Sequence, residues 1–475
     1  MSDLDLCYLP AHEALRRFKA RELSPVELME ATIRRAEAVK DSVNALTYTF
    51  FDEAMDLAHK AEAKYASGAR TGALEGLPIG IKDENDIKGK PTSSGSLILK
   101  DYIADRTSTN NARVIKAGGI VHARTATPEF SCAAYTWSRL WGVTRNPWNP
   151  AFTPGGSSGG AAASLASGTS SIATGSDIGG SIRIPASTCG LIGYKPPYGR
   201  NPDDPPFNLD FYCHTGPLAR TVKDAILLQN VMAGPSAQDI ATLRPKLRLP
   251  MEYKPIKGWK IAYSMNLGVF EVDPEVQKNT SAALEVFRSL GAVVEEVDLG
   301  WTDEVMAAGM NYLRHLFGAY LSQLLDEHGH QMTTYARQFA EEGRVSKATD
   351  FVESLEVVNR MYSTLGPCLE KYDVLICPTT ALPSVPADFD HSTGKLAING
   401  KPIDPMLGWV MTLPFNMLSR CPVLSVPSGR ASNGVPTGIQ IVGRSYSDAS
   451  VFQAAMAYET AQGAWFRDAA HRPKV

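Results

Sequence analysis

The chain has 475 residues, of which 44% are hydrophobic and 20% charged, and its formal net charge is −3 at pH 7. A disordered protein would have fewer apolar residues and a larger net charge, so this composition predicts a folded chain with a large core. Lys and Arg number 47 against 50 Asp and Glu, without the basic excess typical of proteins that bind nucleic acid or membrane surfaces. We therefore expect neither nucleic acid nor membrane as a partner.

The seven cysteines are scattered and include no CxxC pair. An odd number of separated cysteines argues against a disulfide framework and a structural zinc site, so we expect no metal. The first residues lack the basic and then apolar segments of a secretory signal, and no apolar run of about eighteen residues predicts a transmembrane helix. These features predict a cytoplasmic globular protein. A homodimer is compatible with them.

The first seventy residues or so are predicted to be mainly helical. Ser24 precedes Pro25 and lies three residues before Glu27, which is a capping box that opens a helix. Apolar residues follow it at a spacing of roughly 3.6. The β-branched and aromatic residues 43–51 predict a strand, and residues 53–66 predict a second helix.

Strands and helices alternate through the remainder of the chain. Residues 76–83 predict a short buried strand, and a helix over 112–117 leads into a strand over 120–124. A helix of small residues at 161–166 is followed by a glycine-rich turn at 174–180. Beyond residue 258, strands are predicted at 259–264, 292–298, 373–377, 422–426 and 437–442, and helices at 274–290, 303–326, 347–371 and 447–461.

This alternation predicts an α/β fold with a mixed, mostly parallel, twisted sheet covered by helices. No internal repeat or low-complexity linker divides the chain, so we expect a single domain over residues 1–475. Within this domain we distinguish a helical segment at about 8–70, a core segment with the glycine-rich loops at about 71–230, and the remaining α/β core with pocket-forming helices at about 231–475.

Two glycine-rich loops carry most of the functional information. The first, 153–160, contains Ser157, and the second, 175–185, contains Ser181 directly after two glycines. Paired glycines at such short range indicate positive φ angles or a close approach of the backbone to another group. Both loops are predicted to precede helices, whose N–H groups suit a phosphate or the oxyanion of an acyl intermediate. No P-loop or dinucleotide motif is present, so acyl transfer is favoured.

A nucleophilic serine needs a base. Residues 155–159 match the G-x-S-x-G nucleophile elbow, but 149–154 contains two prolines and cannot supply the central strand that an elbow follows. None of the nine histidines has a recognisable catalytic setting. Lys82 follows an apolar stretch, and burial lowers the pKa of an amine enough to make it a base. A lysine that ends a buried strand, and serines that cap helices, are the alternative interpretations.

Three segments together resemble the amidase signature family of Ser-Ser-Lys hydrolases. The segments are 76–83, 155–160 and 175–185, and the separations 157 − 82 = 75 and 181 − 157 = 24 are similar to those of the family. Four further segments add to the resemblance, which extends from about residue 8 to 463: 141–148, 216–224, 377–380 and 423–429.

The resemblance implies a role for each matching residue. Ser181 corresponds to the acyl-accepting nucleophile, Ser157 to a bridging serine that follows a cis peptide bond, and Lys82 to the general base. Backbone N–H groups, including that of Ser181, correspond to an oxyanion hole, which the resemblance places at Ile178, Gly179 and Gly180. Three further positions correspond to residues that hold the loops by hydrogen bonds: Ser158, Asp177 and Arg183.

The implied reaction is hydrolysis of a carboxylic amide to a carboxylate and an amine or ammonia, through a covalent acyl-enzyme on Ser181. Ser157 and neutral Lys82 would relay the protons, and esters or carbamates would be side substrates. The resemblance implies no metal and no organic cofactor, and a small-molecule amide as the partner. The alternatives are the A-type component of a tRNA-dependent amidotransferase complex, an esterase that uses Ser157 with a histidine, and a non-catalytic binding protein.

The sequence departs from the family pattern at Ser419 and over residues 198–214, which points to the substrate pocket rather than to the catalytic residues. Five aromatic residues near these and the signature segments are candidates for lining that pocket, with ordinary core packing as the alternative: Tyr135, Trp137, Phe211, Tyr212 and Trp409. The identity of the amide does not follow from these residues.

Overall fold

The computed structural model describes residues 2–475. Fifteen strands are found in this part of the chain. The strands are β1 (Leu46–Thr49), β2 (Pro78–Lys82), β3 (Ile120–Thr125), β4 (Trp137–Ser138), β5 (Gly142–Val143), β6 (Ile172–Ser176), β7 (Ile192–Lys195), β8 (Thr215–Ala219), β9 (Lys260–Tyr263), β10 (Val293–Glu296), β11 (Val374–Pro378), β12 (Leu396–Ile398), β13 (Lys401–Ile403), β14 (Val423–Arg430) and β15 (Pro436–Val442).

Sixteen α-helices accompany these strands within residues 2–475. The helices are α1 (Asp3–Cys7), α2 (Ala11–Ala20), α3 (Pro25–Val43), α4 (Phe51–Ser67), α5 (Thr109–Lys116), α6 (Gly159–Ser167), α7 (Arg183–Cys189), α8 (Val222–Met232), α9 (Pro274–Ser289), α10 (Glu304–Leu313), α11 (Ala319–Ser322), α12 (Leu325–His328), α13 (Thr334–Arg344), α14 (Ala348–Lys371), α15 (Pro414–Met417) and α16 (Asp448–Gln462).

Eleven of the strands form one mixed sheet in the order β1-β3-β2-β6-β8-β7-β14-β15-β11-β9-β10. The mixed α/β domain predicted from the sequence is thereby confirmed. Parallel pairs join β3, β2 and β6 on one flank and β11, β9 and β10 on the other. The middle pairs are antiparallel. The parallel share is smaller than expected because β14 and β15 form a hairpin, and β7 and β8 are joined without a crossover helix.

The finer division into segments at 8–70, 71–230 and 231–475 stays a prediction. Helix α3 begins as its capping box predicts: the Ser24 hydroxyl accepts a hydrogen bond from the N–H of Val26 at 3.0 Å, and Glu27 accepts one from the N–H of Ser24 at 2.8 Å. The glycine-rich turn predicted from residue 174 begins later, because residues 172–176 belong to β6. None of the described helices combines the length and the apolar composition that crossing a bilayer requires.

The flank with β2 and β6 positions the predicted site. Because β2 and β6 are parallel and adjacent, their carboxyl ends, Lys82 and Ser176, lie at the same edge of the sheet. Strand β2 is closely packed against its surroundings: a Cβ atom at Gly80 would lie 2.8 Å from the Thr125 side chain in β3 and 3.0 Å from the Ser170 hydroxyl. The two glycine-rich loops lead from this edge into α6 and α7, both of which are completely buried.

Candidate active site

Lys82 is a wholly buried lysine at the end of β2. Its Nζ lies 2.7 Å from Oγ of Ser157, 2.8 Å from Oγ of Ser176 and 2.9 Å from Oε2 of Glu84. Each contact is within hydrogen-bond distance, so three oxygens surround the nitrogen. The direct contact with Ser157 brings together two of the three residues that the sequence predicts to act as a triad.

Burial lowers the pKa of the Lys82 amine below its ordinary value of 10.5. The negative charge of Glu84 opposes this shift without reversing it. For the Glu84 carboxyl, burial alone would raise the pKa, but the charge of Lys82 and hydrogen bonds from Ser131, Ser176 and Lys82 hold it below its ordinary value. The pair therefore joins a carboxylate to an amine that gives up its proton more readily than a lysine in water.

The first glycine-rich loop presents Ser157 to Lys82. The peptide bond between Gly156 and Ser157 is cis, as the resemblance implied. Gly156 is required by a close approach of backbones, because a Cβ atom there would lie 2.4 Å from the carbonyl oxygen of Tyr135. No strand precedes this loop directly within the described chain, so the nucleophile elbow is not formed. Ser158 links the two loops, since its N–H donates to the carbonyl oxygen of Ser181 at 3.1 Å.

The second loop leaves a row of backbone donors unused. Among residues 2–475, no acceptor is found for the N–H groups of the four consecutive residues 178–181. The hydroxyl of Thr412 donates to the carbonyl oxygen of Gly179 at 2.6 Å, which turns the N–H of the same peptide plane to the opposite side. Gly180 has a φ of 131°, and a Cβ atom there would lie 1.9 Å from the Thr412 hydroxyl. Unpaired N–H groups beside a serine are the arrangement of an oxyanion hole.

A buried ion pair fixes the shape of this loop. Arg183 donates to both carboxylate oxygens of Asp177, at 2.9 and 2.8 Å, and neither side chain is exposed. Burial would raise the pKa of the Asp177 carboxyl, but the charge and hydrogen bonds of Arg183 and a hydrogen bond from Asn416 lower it to about 2. The remaining Arg183 donors reach the backbone of Thr412 and the side chains of Gln440 and Asn416.

Ser181 lies in the loop next to Lys82 and Ser157, but its hydroxyl makes no hydrogen bond to that of Ser157. The residue is 7% exposed, and within residues 2–475 no hydrogen bond joins the hydroxyls of Ser157 and Ser181. The two serines face different cavities, which adjoin at Ile178. The structure thus joins the first two members of the predicted triad directly and holds the third in the neighbouring loop.

The larger cavity has a volume of about 440 Å³ and adjoins Ser157. Its lining includes Glu84, Ser131 and Ser176, and also Asp203, Asp204 and Phe207 from the segment that departs from the family pattern. The smaller cavity has about 50 Å³, adjoins Ser181, and is mainly apolar, with Ile184, Leu313, Phe339 and Val410 in its wall. A cavity needs only about 10–15 Å³ to hold one water molecule, so both have room for part of a small ligand.

The five aromatic residues predicted for the pocket line neither cavity. Tyr135, Tyr212 and Trp409 belong to the buried core, and Trp137 and Phe211 pack against the same core from its edge. Tyr212, for example, stacks on Tyr312 with a centroid distance of 3.5 Å. The alternative interpretation, ordinary core packing, therefore describes these residues.

Sequence reasoning missed three polar residues of the site: Glu84, Ser131 and Ser176. The signal for Glu84 was its position two residues after Lys82, just beyond the end of the buried strand, where a turn brings the two side chains together. Ser176 lies inside the second glycine-rich segment, directly after a glycine. Ser131 gave no such signal, because its hydroxyl reaches Glu84 only through the fold.

Neither a metal site nor a histidine base accompanies these groups in the described chain. No three His, Cys, Asp or Glu side chains of residues 2–475 are grouped as metal ligands. Within the same residues, no histidine is hydrogen-bonded to Ser157 or Ser181. His214, which follows the second loop along the chain, is buried against the backbone of Tyr212, and burial lowers the pKa of its imidazole to about 3.

Comparison with known proteins gives the same family throughout. The family described as Amidase matches residues 27–452. An acylamidase of Rhodococcus erythropolis is 32% identical over 467 residues, covering 97% of this chain and 96% of that protein. The A-type component of the glutamyl-tRNA(Gln) amidotransferase of Carboxydothermus hydrogenoformans is 32% identical over 502 residues, with coverage of 99% and 100%. The crystal structure of a bacterial aryl acylamidase has a TM-score of 0.89 at 31% identity, with coverage of 98% and 97%.

These matches span nearly the whole of each protein, so the fold is that of the amidase signature enzymes. The chain is a member of the amidase signature family, as its sequence predicted. At the level that the family defines, it is an amidohydrolase.

The ion pair of Asp177 and Arg183 yields a test of how the second loop is held. Arg183→Met removes the cation and leaves the Asp177 carboxylate buried alone. Breaking a buried pair in this way costs about 3–5 kcal/mol, so we expect the free energy of unfolding to fall by that amount in a urea titration followed by circular dichroism. The control is Arg337→Met, which breaks the exposed pair with Glu341. This substitution is expected to change the free energy of unfolding by less than about 1 kcal/mol. Equal effects of the two substitutions would contradict this account of the loop.

Proposed function

We propose that this protein hydrolyses a small carboxylic amide through an acyl-enzyme on Ser181, with Ser157 and uncharged Lys82 relaying the protons. The observation that carries the proposal is the 2.7 Å contact between Lys82 and Ser157 inside a buried site. A lysine whose pKa is lowered supplies more uncharged amine at a given pH than a lysine in water, and a bridging hydroxyl extends its reach to the neighbouring loop.

In the acylation step, the proton of the Ser181 hydroxyl passes to the oxygen of Ser157, whose own proton passes to Nζ of Lys82. Ser181 Oγ forms a bond to the carbonyl carbon of the amide, and the electrons of the carbonyl double bond move to its oxygen. This step requires the two serine hydroxyls to meet once substrate is bound. Catalytic hydrogen bonds are commonly long before substrate binds, so the open contact between the serines is compatible with the relay.

The oxyanion would be received by the free N–H groups of Ile178, Gly179, Gly180 and Ser181. Such preorganised donors stabilise charge that develops in the transition state, and removing one typically costs about 10²–10³ in rate. The tetrahedral intermediate then collapses as its C–N bond breaks. The departing nitrogen takes a proton from Ser157, which recovers one from the Lys82 ammonium. Water repeats the sequence on the acyl-enzyme and releases the carboxylate.

The two cavities support a substrate whose two substituents differ in size. The small apolar cavity beside Ser181 would take a short apolar group, and the larger cavity beside Ser157 would take a bulkier group with polar atoms. Aryl and aliphatic amides both satisfy this description, and esters or carbamates would react at the same serine. The acylamidase of Rhodococcus erythropolis supports an acylated amine as the substrate class.

Removal of each relay residue tests the proposal. We expect Lys82→Ala, Ser157→Ala and Ser181→Ala each to lower the rate at which a fluorophosphonate phosphonylates the protein, with loss of fluoride, by at least about 10³-fold, because this reaction needs the same activated serine as acylation and residues that act as one unit fail together. The rate is measured by mass spectrometry of the intact protein after reaction with a fluorophosphonate, and peptide mapping is expected to place the adduct on Ser181.

Matched controls use groups of the same chemistry outside the site. Ser167→Ala removes a buried hydroxyl in α6, and Lys195→Met removes the other wholly buried lysine, whose pKa burial lowers to about 7. Both are expected to keep the labelling of Ser181. If substitution of Lys195 or of a histidine abolished labelling while Lys82→Ala preserved it, Lys82 would be rejected as the base.

The base also sets the pH dependence. An ammonium cannot accept a proton, so acylation is expected to rise with pH as Lys82 loses its charge, with a midpoint below 10.5 because burial lowers this pKa. Asp203 faces the same cavity, and burial raises the pKa of its carboxyl to about 7. The variant Asp203→Asn is therefore measured beside the wild type from pH 5 to 10. A rise that disappears with Asp203→Asn would assign the titration to the carboxyl instead.

The second candidate is the A-type component of a tRNA-dependent amidotransferase complex. It is favoured by the similarity to the Carboxydothermus hydrogenoformans protein, which equals that to the acylamidase in percent identity. A free-standing amidase is expected to hydrolyse aryl or aliphatic amides as a purified single chain, followed by the release of amine. Activity that appears only with partner proteins and charged tRNA, together with their co-purification, would establish the second candidate.

A further inference from the structure

Glu84 is a largely buried carboxylate in direct contact with the proposed base. It follows Lys82 by two residues, and its backbone N–H donates to the carbonyl oxygen of Lys82 at 2.9 Å. This turn brings Oε2 back to within 2.9 Å of the lysine Nζ, and the side chain is only 15% exposed. Within residues 2–475, Lys82 is the single cation paired with Glu84.

Resting on the proposed function, we infer that Glu84 is a positioning residue for Lys82: it orients the uncharged amine towards Ser157 and stabilises the ammonium that forms during acylation. An uncharged amine has two N–H donors and one lone pair, and Lys82 has three oxygen neighbours. When Glu84 and Ser176 accept the two N–H groups, the lone pair is left facing Ser157. The Ser157 hydroxyl is therefore the group that gives its proton to Lys82.

The same carboxylate acts again after the proton has moved. Lys82 is wholly buried and then carries a full positive charge, and an unpaired buried charge costs several kcal/mol. Glu84 offers the opposite charge at hydrogen-bond distance, and it neither gains nor loses a proton in the step. This is the role that the carboxylate of a Ser-His-Asp triad has for its histidine. Ser131, which donates to Glu84, holds the carboxylate in place.

The contact has opposite effects on the two protonation states of Lys82. At low pH, Glu84 favours the ammonium and so reduces the fraction of usable base. At high pH, where the amine is already uncharged, Glu84 only lowers the energy of the charged product of proton transfer. Removing its charge must therefore slow acylation at high pH and move the rise of the pH profile to lower pH. A residue that merely supports the fold would not move that midpoint.

Other titratable and charged groups face the pair from the neighbouring elements. Asp83, next to Glu84 in the chain, and Arg124 of β3 are both wholly buried and lie 3.8 Å apart, so their opposite charges face each other. Asp177 lies in the loop after β6 and is neutralised by Arg183. The thiol of Cys213 stays protonated, because burial raises its pKa well above the ordinary value. Asp203 adds a carboxyl whose pKa burial raises to about 7, and its titration is separated by Asp203→Asn as described above.

The test is the rate at which a fluorophosphonate labels Ser181 from pH 5 to 10 in the wild type and in Glu84→Gln. We expect the midpoint of the rise to fall by about 1 pH unit or more, since an opposite charge at this distance shifts a pKa by roughly 1–3 units. On the plateau we expect labelling to slow by about 10–100-fold. The ratio of the wild-type labelling rate to the Glu84→Gln labelling rate is therefore expected to decrease as the pH falls.

Asp86→Asn is the matched control, because Asp86 lines the same cavity but has no contact with Lys82. It is expected to keep the midpoint of the wild type. Glu84→Asp retains the negative charge, so its midpoint is expected to lie close to that of the wild type. If Glu84→Gln does not fold by circular dichroism, Glu84→Ser replaces it under the same expectation.

An unchanged midpoint and plateau in the neutral variant would overturn the role of Glu84 while leaving the proposed triad intact. A shift of the same size in Asp86→Asn would also overturn it, because general cavity charge would then be responsible. Wild-type labelling in Lys82→Ala would instead reject the proposed function, and this inference with it. The two failures are therefore distinguishable in one set of measurements.

Discussion

The site depends on one buried amine held among three oxygens. Lys82 lies at the end of a strand whose neighbours exclude water, and burial of an ammonium there would be costly without compensation. The structure meets that cost with a carboxylate and two hydroxyls rather than with several charges. Burial lowers the pKa of the amine, whereas the carboxylate accommodates its charged form, and the proposed role of taking up and returning a proton needs both properties.

The two glycine-rich loops are held in place beside Lys82 by close packing. Gly156 and Gly180 stand where any side chain would collide with neighbouring atoms, at Tyr135 and at Thr412. The two loops also approach each other closely: a Cβ atom at Gly155 would lie 2.9 Å from the Cα of Pro185, and the N–H of Ser158 donates to the carbonyl oxygen of Ser181. The pair of Asp177 and Arg183 then fixes the second loop from behind. Donors to an oxyanion are useful only when they are already oriented, so this rigidity is part of the chemistry.

Much of this arrangement could be predicted from local sequence. The capping box at Ser24, the strand that ends at Lys82 and the glycine-rich loops carry their signals within a few residues. The mixed sheet followed from the alternation of strands and helices, but the order of its middle strands did not. Antiparallel pairing of β6 with β8 joins segments about 40 residues apart, and their pairing depends on the packing of the whole sheet.

The pocket was the part that local sequence could not supply. Aromatic residues such as Tyr212 and Trp409 are equally suited to a core and to a ligand site, and only the fold decides between them. The observed lining combines segments far apart in the chain, including Glu84, Ser131 and Asp203. If Lys82 acts as the proposed base, the carboxylates beside it limit the charge that a substrate can bring into this cavity. A group that brings a second negative charge into this cavity would favour the ammonium of Lys82 and withdraw the base, whereas an uncharged or cationic arm leaves the amine free to act.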